Sequence, residues 1–125
     1  MDVVRVLVVD DAAAYLGAMV AVVSETPGFE VVGEASSGED ALAVALQSLP
    51  DLVLMDVHLP GIDGVEAARR LLLGARPPAV VLLSTYDDEA GQLFLTESGA
   101  TAYVQKAVFG PGRLELAWSA SQRRS

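Results

Sequence analysis

The sequence predicts an α/β domain in which a five-stranded parallel sheet is covered by helices on both faces. Three observations predict it. A short aliphatic run, a turn and a stretch with helical spacing recur five times along the 125 residues, as repeated strand–crossover–strand units require. Several of the runs are apolar at successive positions rather than alternately, which is how strands buried on both faces read. Most of the residues able to do chemistry close a run, so they gather beyond one edge of the sheet, where open α/β sheets bind ligands.

The first run, "VVRVLVVD" (3 to 10), ends on a carboxylate with a second beside it, and helical spacing follows from Ala12 to Ser24. "FEVVGEAS" (29 to 36) leads into a helix over Gly38 to Gln47. Ser37 is placed to cap that helix, with Asp40 three residues on in the first turn, where negative charge is favoured. "DLVLMD" (51 to 56) again ends on an acid, then breaks into a loop carrying Pro60, Gly61, Asp63 and Gly64 before a helix over Gly64 to Leu73. "AVVLLST" (79 to 85) precedes a helix from Glu89 to Ser98, and "TAYVQK" (101 to 106) precedes one from Gly112 to about Ala120. No linker or low-complexity tract divides the chain, which is one domain by length.

Composition narrows the function. With 52% hydrophobic residues there is material for a core, and a domain of this length buries roughly two thirds of its unfolded surface. The absence of cysteine excludes disulfides, a thiol nucleophile and a Cys-based zinc site. A net charge of −9 argues against direct tracking of a phosphate backbone. Met1 and Asp2 lead straight into a short apolar strand, without the basic start and long apolar run of a secretory signal, and no run approaches a membrane span. A soluble, cytoplasmic protein that does not enter membranes is the expectation.

The strand-end residues form a chemically coherent set: Asp10, Asp11, Asp56, Ser84 and Lys106. Three clustered carboxylates repel one another and take up protons unless compensated. A hard divalent cation together with Lys106, the only lysine in the chain, balances them. All-oxygen ligands suit Mg²⁺, and a compact ammonium suits a single phosphoryl oxygen.

"VLVVDD" (6 to 11), "VLMDVHLPGIDG" (53 to 64), "LLSTYDD" (82 to 88) and "GATAYVQK" (99 to 106) resemble, in order and interval, the signature segments of the receiver domain of two-component response regulators. "FEVVGEASSGEDAL" (29 to 42) and "GVEAARRL" (64 to 71) are similar to its NarL/FixJ class in particular. The resemblance implies a flavodoxin-like doubly wound (βα)5 fold with strand order 2-1-3-4-5. It implies that Asp56 accepts a phosphoryl group from the phosphohistidine of a sensor histidine kinase. Asp10, Asp11, Asp56 and the backbone carbonyl of His58 correspond to the Mg²⁺ ligands, with Mn²⁺ as a substitute. Lys106 and Ser84 correspond to the groups that bind the phosphoryl oxygens, and Ser84 with Tyr103 to the switch pair. His58, Thr85 and Tyr86 stand where the family tunes hydrolysis of the phosphoryl group.

Further expectations follow from the resemblance. The chain is a regulatory phosphoacceptor rather than an enzyme, catalysing only its own phosphotransfer and dephosphorylation. Homodimers form through the fourth helix, fifth strand and fifth helix, or through the first and fifth helices. DNA is reached only through an output domain that these 125 residues do not contain. Residues 1–121 make the receiver, and 122–125, with Arg123 and Arg124, read as a tail or the start of a linker. One departure concerns Lys106, which family members often follow with a cis proline; here Ala107 follows, and a cis bond before a non-proline residue costs roughly 2.5–4 kcal/mol. Two other functional classes would leave different residues here. A pseudo-receiver scaffold would have lost site residues, and all five are present. An aspartate-nucleophile phosphohydrolase would place a second acid two residues past the nucleophile, where His58 stands, and would carry a substrate cap.

Overall fold

The computed structural model describes residues 2–123. Its elements are β1 (Val4–Val9), α1 (Ala13–Glu25), β2 (Phe29–Ala35), α2 (Gly38–Ser48), β3 (Leu52–Asp56), α3 (Gly64–Leu72), β4 (Ala79–Ser84), α4 (Asp88–Ser98), β5 (Ala102–Gln105) and α5 (Pro111–Arg123). All pairings are parallel and the strand order is β2-β1-β3-β4-β5. This is the flavodoxin-like arrangement that the resemblance implied.

The continuous apolar runs are explained by two cores, one on each face of the sheet. Leu7, Val9, Val53, Met55, Val80 and Leu82 pack toward α2, α3 and α4. Their neighbours Val6, Val8, Leu52, Leu54, Val81 and Leu83 pack toward α1 and α5, against Met19, Val23 and Leu114. The strand residues of both sets are fully buried, and each is worth roughly 1.5–3 kcal/mol over an exposed position. A strand with no polar face cannot shift register to reach solvent. The strand ends are therefore fixed in space, and with them the residues that follow.

Caps set most boundaries. Ser37 Oγ accepts from Asp40 N–H at 3.0 Å, as its sequence predicted. Asp87 caps α4 by accepting from Ala90 N–H, which starts that helix at Asp88, one residue before the expected Glu89. The last helix is longer than expected. It begins at Pro111, a residue suited to the first helical position, with Gly110 C=O accepting from Leu114 N–H, and it passes Ala120 to reach Arg123. Arg124 and Ser125, in the expected linker, lie outside the described residues. A 3₁₀ turn over Lys106–Val108 was also not anticipated, so Lys106 opens a turn rather than ending a strand. No cis peptide occurs among the described residues, so the Lys106–Ala107 bond is trans. No described helix is long and apolar enough to cross a membrane.

Candidate functional site

β1 and β3 are neighbours at the point where the chain, having stepped out to β2, crosses back to the other side. Val9 pairs with Met55 there. Asp10 and Asp56 each follow one residue later, so the topology sets two carboxylates side by side. Both are buried, at 1% and 3% exposure, while Asp11 is exposed. One oxygen from each of the three lies within 4.8 Å of the others.

Lys106 reaches in from the end of β5. Its Nζ stands 2.8 Å from Asp10 Oδ2 and 3.4 Å from Asp56 Oδ1. Asp10 Oδ1 accepts from Ala12 N–H at 2.9 Å, an Asx-type turn that opens α1. Its Oδ2 is buried and, besides the ammonium, has no hydrogen-bond partner. Asp56 Oδ1 accepts weakly from His58 N–H at 3.4 Å. Burial, and then the Asp10 charge, raise the Asp56 pKa above its ordinary 3.8, in spite of Lys106. For Lys106 burial works against the charged form, yet pairing with Asp10 and the fields of Asp56 and Asp10 outweigh it and hold the pKa above 10.5. An excess of negative charge with one buried, under-coordinated oxygen is an environment that a divalent cation relieves. The oxygen-only donor set fits Mg²⁺.

The loop after Asp56 is tied down from several sides. Gly61 adopts φ 73°, a left-handed conformation, and Ile62 N–H donates to Glu39 Oε2 on α2 at 3.0 Å. Asp63 caps α3 through Glu66 N–H at 2.8 Å. Gly64 serves by close approach: a Cβ there would sit 2.0 Å from the Asp56 carbonyl oxygen. No larger residue closes the loop so tightly beneath Asp56.

Ser84, fully buried, ends β4, and its Oγ accepts from Tyr86 N–H at 3.1 Å. Thr85 is exposed and Tyr86 half-exposed. His58, exposed on the loop, stacks obliquely on Tyr86 with ring centroids 5.0 Å apart. Phe94 of α4 bridges Tyr86 and Tyr103, at 6.1 and 6.0 Å. The Tyr103 hydroxyl donates to the Tyr86 carbonyl, and its ring fills the space that a side chain on Gly91 would occupy. The expected residues thus form two adjoining groups: Asp10, Asp11, Asp56 and Lys106 in the crevice, and His58, Tyr86 and Tyr103 in an aromatic cluster beside it. A concavity of about 970 Å³ lies elsewhere, at the opposite end of the strands, among Leu46, Leu49, Pro77 and Trp118.

Sequence reasoning missed Tyr15, Glu39, Gly91 and Phe94. Tyr15 had one local signal, an aromatic in the first turn of the helix that opens directly after Asp10 and Asp11. Gly91 had one too, a glycine inside a helix with no turn to serve. Glu39 and Phe94 act across elements, which local pattern does not show.

A parallel doubly wound sheet with an acidic pair, a third carboxylate and a lysine at its switch point defines a class of phosphoryl-handling regulatory domains, and the comparisons name it. The model of the response regulator receiver domain matches residues 6–117. Response regulator GacA of Pseudomonas viridiflava is 38% identical over 113 residues, covering 90% of this chain and 51% of GacA. Transcriptional regulatory protein LiaR of Bacillus subtilis is 32% identical over 103 residues, 82% of this chain and 49% of LiaR. Among solved structures, the receiver domain of response regulator NarL from Mycobacterium tuberculosis aligns with a TM-score of 0.83 at 30% identity, covering 94% of this chain and 98% of that one. The chain belongs to the response regulator receiver family, in its NarL/FixJ-like class. It spans about half the length of the curated relatives named here.

Proposed function

We propose that this domain is a phosphorylation switch in which Asp56 accepts a phosphoryl group from the phosphohistidine of a sensor histidine kinase in the cytoplasm. The observation that carries the reading is the position of Lys106 Nζ, 2.8 Å from Asp10 and 3.4 Å from Asp56, in a crevice where three carboxylates converge. A carboxylate held at a strand tip is an oriented nucleophile. As an Asp56 oxygen bonds to phosphorus, the phosphorus–nitrogen bond of the donor breaks and the imidazole leaves, taking up a proton. Lys106 compensates negative charge on the incoming oxygens, and the Ser84 hydroxyl, an acceptor toward Tyr86 N–H, retains its proton to donate to another.

Asp10, Asp11, Asp56 and the His58 carbonyl would hold Mg²⁺, or Mn²⁺ in its place. Bound there, the cation supplies charge neutralisation at the carboxylates and the phosphoryl oxygens. Phosphorylation adds about −1.5 to −2 charge with three strong acceptors. A state that offers Lys106 and Ser84 to those acceptors together gains population. Ser84 and Tyr103 are joined through Tyr86, by Ser84 Oγ on its N–H and Tyr103 on its carbonyl, so movement of the serine is passed to the ring and to the α4-β5-α5 face. We assign that face, in preference to α1-α5, to a homodimer contact that exposes Leu93 and Leu116 in the single chain. Control of DNA falls to an output domain in a longer protein, as the lengths of GacA and LiaR suggest, with residues 1–121 as receiver and 122–125, of which Gln122 and Arg123 continue α5, as a tail or the start of a linker.

Titration with beryllofluoride, an analogue of the phosphoryl group, tests the reading. Binding is expected only with Mg²⁺ present and is lost in Asp56→Asn and in Asp11→Ala. Equal binding by either variant overturns it.

A further inference from the structure

Lys106 is gripped from a direction that the phosphoryl chemistry does not account for. The hydroxyl of Tyr15, in the first turn of α1, donates to the Lys106 backbone carbonyl at 2.9 Å. The Lys106 ammonium lies 4.5 Å from the centroid of the same ring. One side chain therefore holds both the main chain and the charge of the lysine.

The turn it braces has little else to fix it. Lys106–Val108 is a single 3₁₀ turn, a conformation with poor hydrogen-bond geometry. Its closing bond, from Phe109 N–H to the Lys106 carbonyl, is long at 3.3 Å. The next residue is Ala107 through a trans peptide, so no proline ring stiffens the turn. A lysine side chain has four rotatable bonds, and without a brace its ammonium samples many positions. The aromatic face also displaces water, leaving 15% of the lysine side chain exposed, which strengthens its attraction to the carboxylates. Burial, then the charges of Asp10 and Asp56, push the Tyr15 hydroxyl up to about 12. It is a neutral donor throughout the physiological range.

We propose that Tyr15 is the positioning residue for Lys106, a brace from α1 that fixes where the ammonium of the chain's only lysine meets an incoming phosphoryl group. The proposal rests on the reading of Lys106 as a phosphoryl-binding group. It assigns to a hydroxyl and an aromatic face the restraint that a lysine–proline turn supplies by covalent stiffness.

Tyr15→Phe keeps the ring and removes the hydrogen bond; Tyr15→Leu removes both. Beryllofluoride affinity in saturating Mg²⁺ is expected to fall about threefold in Tyr15→Phe and about tenfold in Tyr15→Leu. Affinity for Mg²⁺ alone, which does not need Lys106, stays within about twofold in both. A role confined to holding the fold would weaken both affinities in parallel and lower the melting temperature with them, and that result overturns the proposal. So does unchanged beryllofluoride binding in both variants while wild type binds. If Tyr15→Leu fails to fold, Tyr15→Phe carries the test alone. If wild type itself binds no beryllofluoride, the function assigned to Lys106 falls first and the brace with it.

Discussion

Asp56, the proposed phosphoacceptor, carries a cost to stability. Its raised pKa means that the folded chain holds the Asp56 proton more tightly than the unfolded chain does. The group therefore costs nothing below its ordinary pKa of 3.8, and costs progressively more as pH rises through the higher folded value. Asp56→Asn should raise the melting temperature at pH 7 in metal-free buffer by about 2–5 °C, and the gain should vanish below pH 4 or so. Thermal melts of both proteins across that range check it; a lower melting temperature for the variant at pH 7 contradicts it. Neighbouring aromatics set a second residue-scale effect. Water must approach an aspartyl phosphate in line, and on the proposed function the half-exposed Tyr86 ring, packed on His58 of the loop that follows Asp56, obstructs that approach. Tyr86→Ala should speed dephosphorylation several-fold, whereas His58→Ala changes it less, because an exposed imidazole must be both neutral and aligned to act as a base. Rates after removal of the phosphodonor at several pH values decide the ranking. A slower, pH-independent His58→Ala reaction beside an unchanged Tyr86→Ala would reverse it.

At the scale of elements, the strands were the most legible part of the sequence. Aliphatic runs with no polar face leave one way to be buried, and Asp10 and Asp56 follow from where those runs stop. Helix ends were less legible: Asp87 caps one residue earlier than expected, and nothing after Ala120 forces α5 to end there. The 3₁₀ turn after β5 escaped notice because its support, Tyr15, comes from 91 residues away. Gly91 makes the same point with a measurable consequence. Alanine in place of a mid-helix glycine normally stabilises by roughly 0.5–1 kcal/mol. Here the added Cβ would lie 2.0 Å from the Tyr103 ring, so Gly91→Ala should destabilise instead. In a Tyr103→Ala background the same change should stabilise. Denaturant melts of the four proteins read both signs, and stabilisation by Gly91→Ala in the native background would show that the ring moves aside at little cost.

For the molecule as a whole, the topology carries most of the account. Strand order 2-1-3-4-5 puts the switch point between the two strands that end in acids. The order itself was not legible from periodicity; it came from the motif resemblance and agrees with the observed sheet. Association is the property least readable from one chain, since it depends on which exposed apolar residues meet. Leu93 and Leu116, at 64% and 65% exposure on α4 and α5, make the α4-β5-α5 face the one expected to pair. Beryllofluoride with Mg²⁺ should shift sedimentation from monomer toward dimer, and Leu116→Glu should prevent the shift; dimerisation unaffected by that change would move the contact to another face. The central claim, that this fold exists to present Asp56 to a phosphodonor, is tested most directly by identifying the modified residue. The protein is incubated with acetyl phosphate and Mg²⁺, the acyl phosphate is reduced with borohydride, and peptides are sequenced by mass spectrometry. The account predicts homoserine at position 56 and at no other aspartate, with none formed when Mg²⁺ is chelated. Incorporation at a different residue, or a chain that takes up no phosphoryl group, would contradict it.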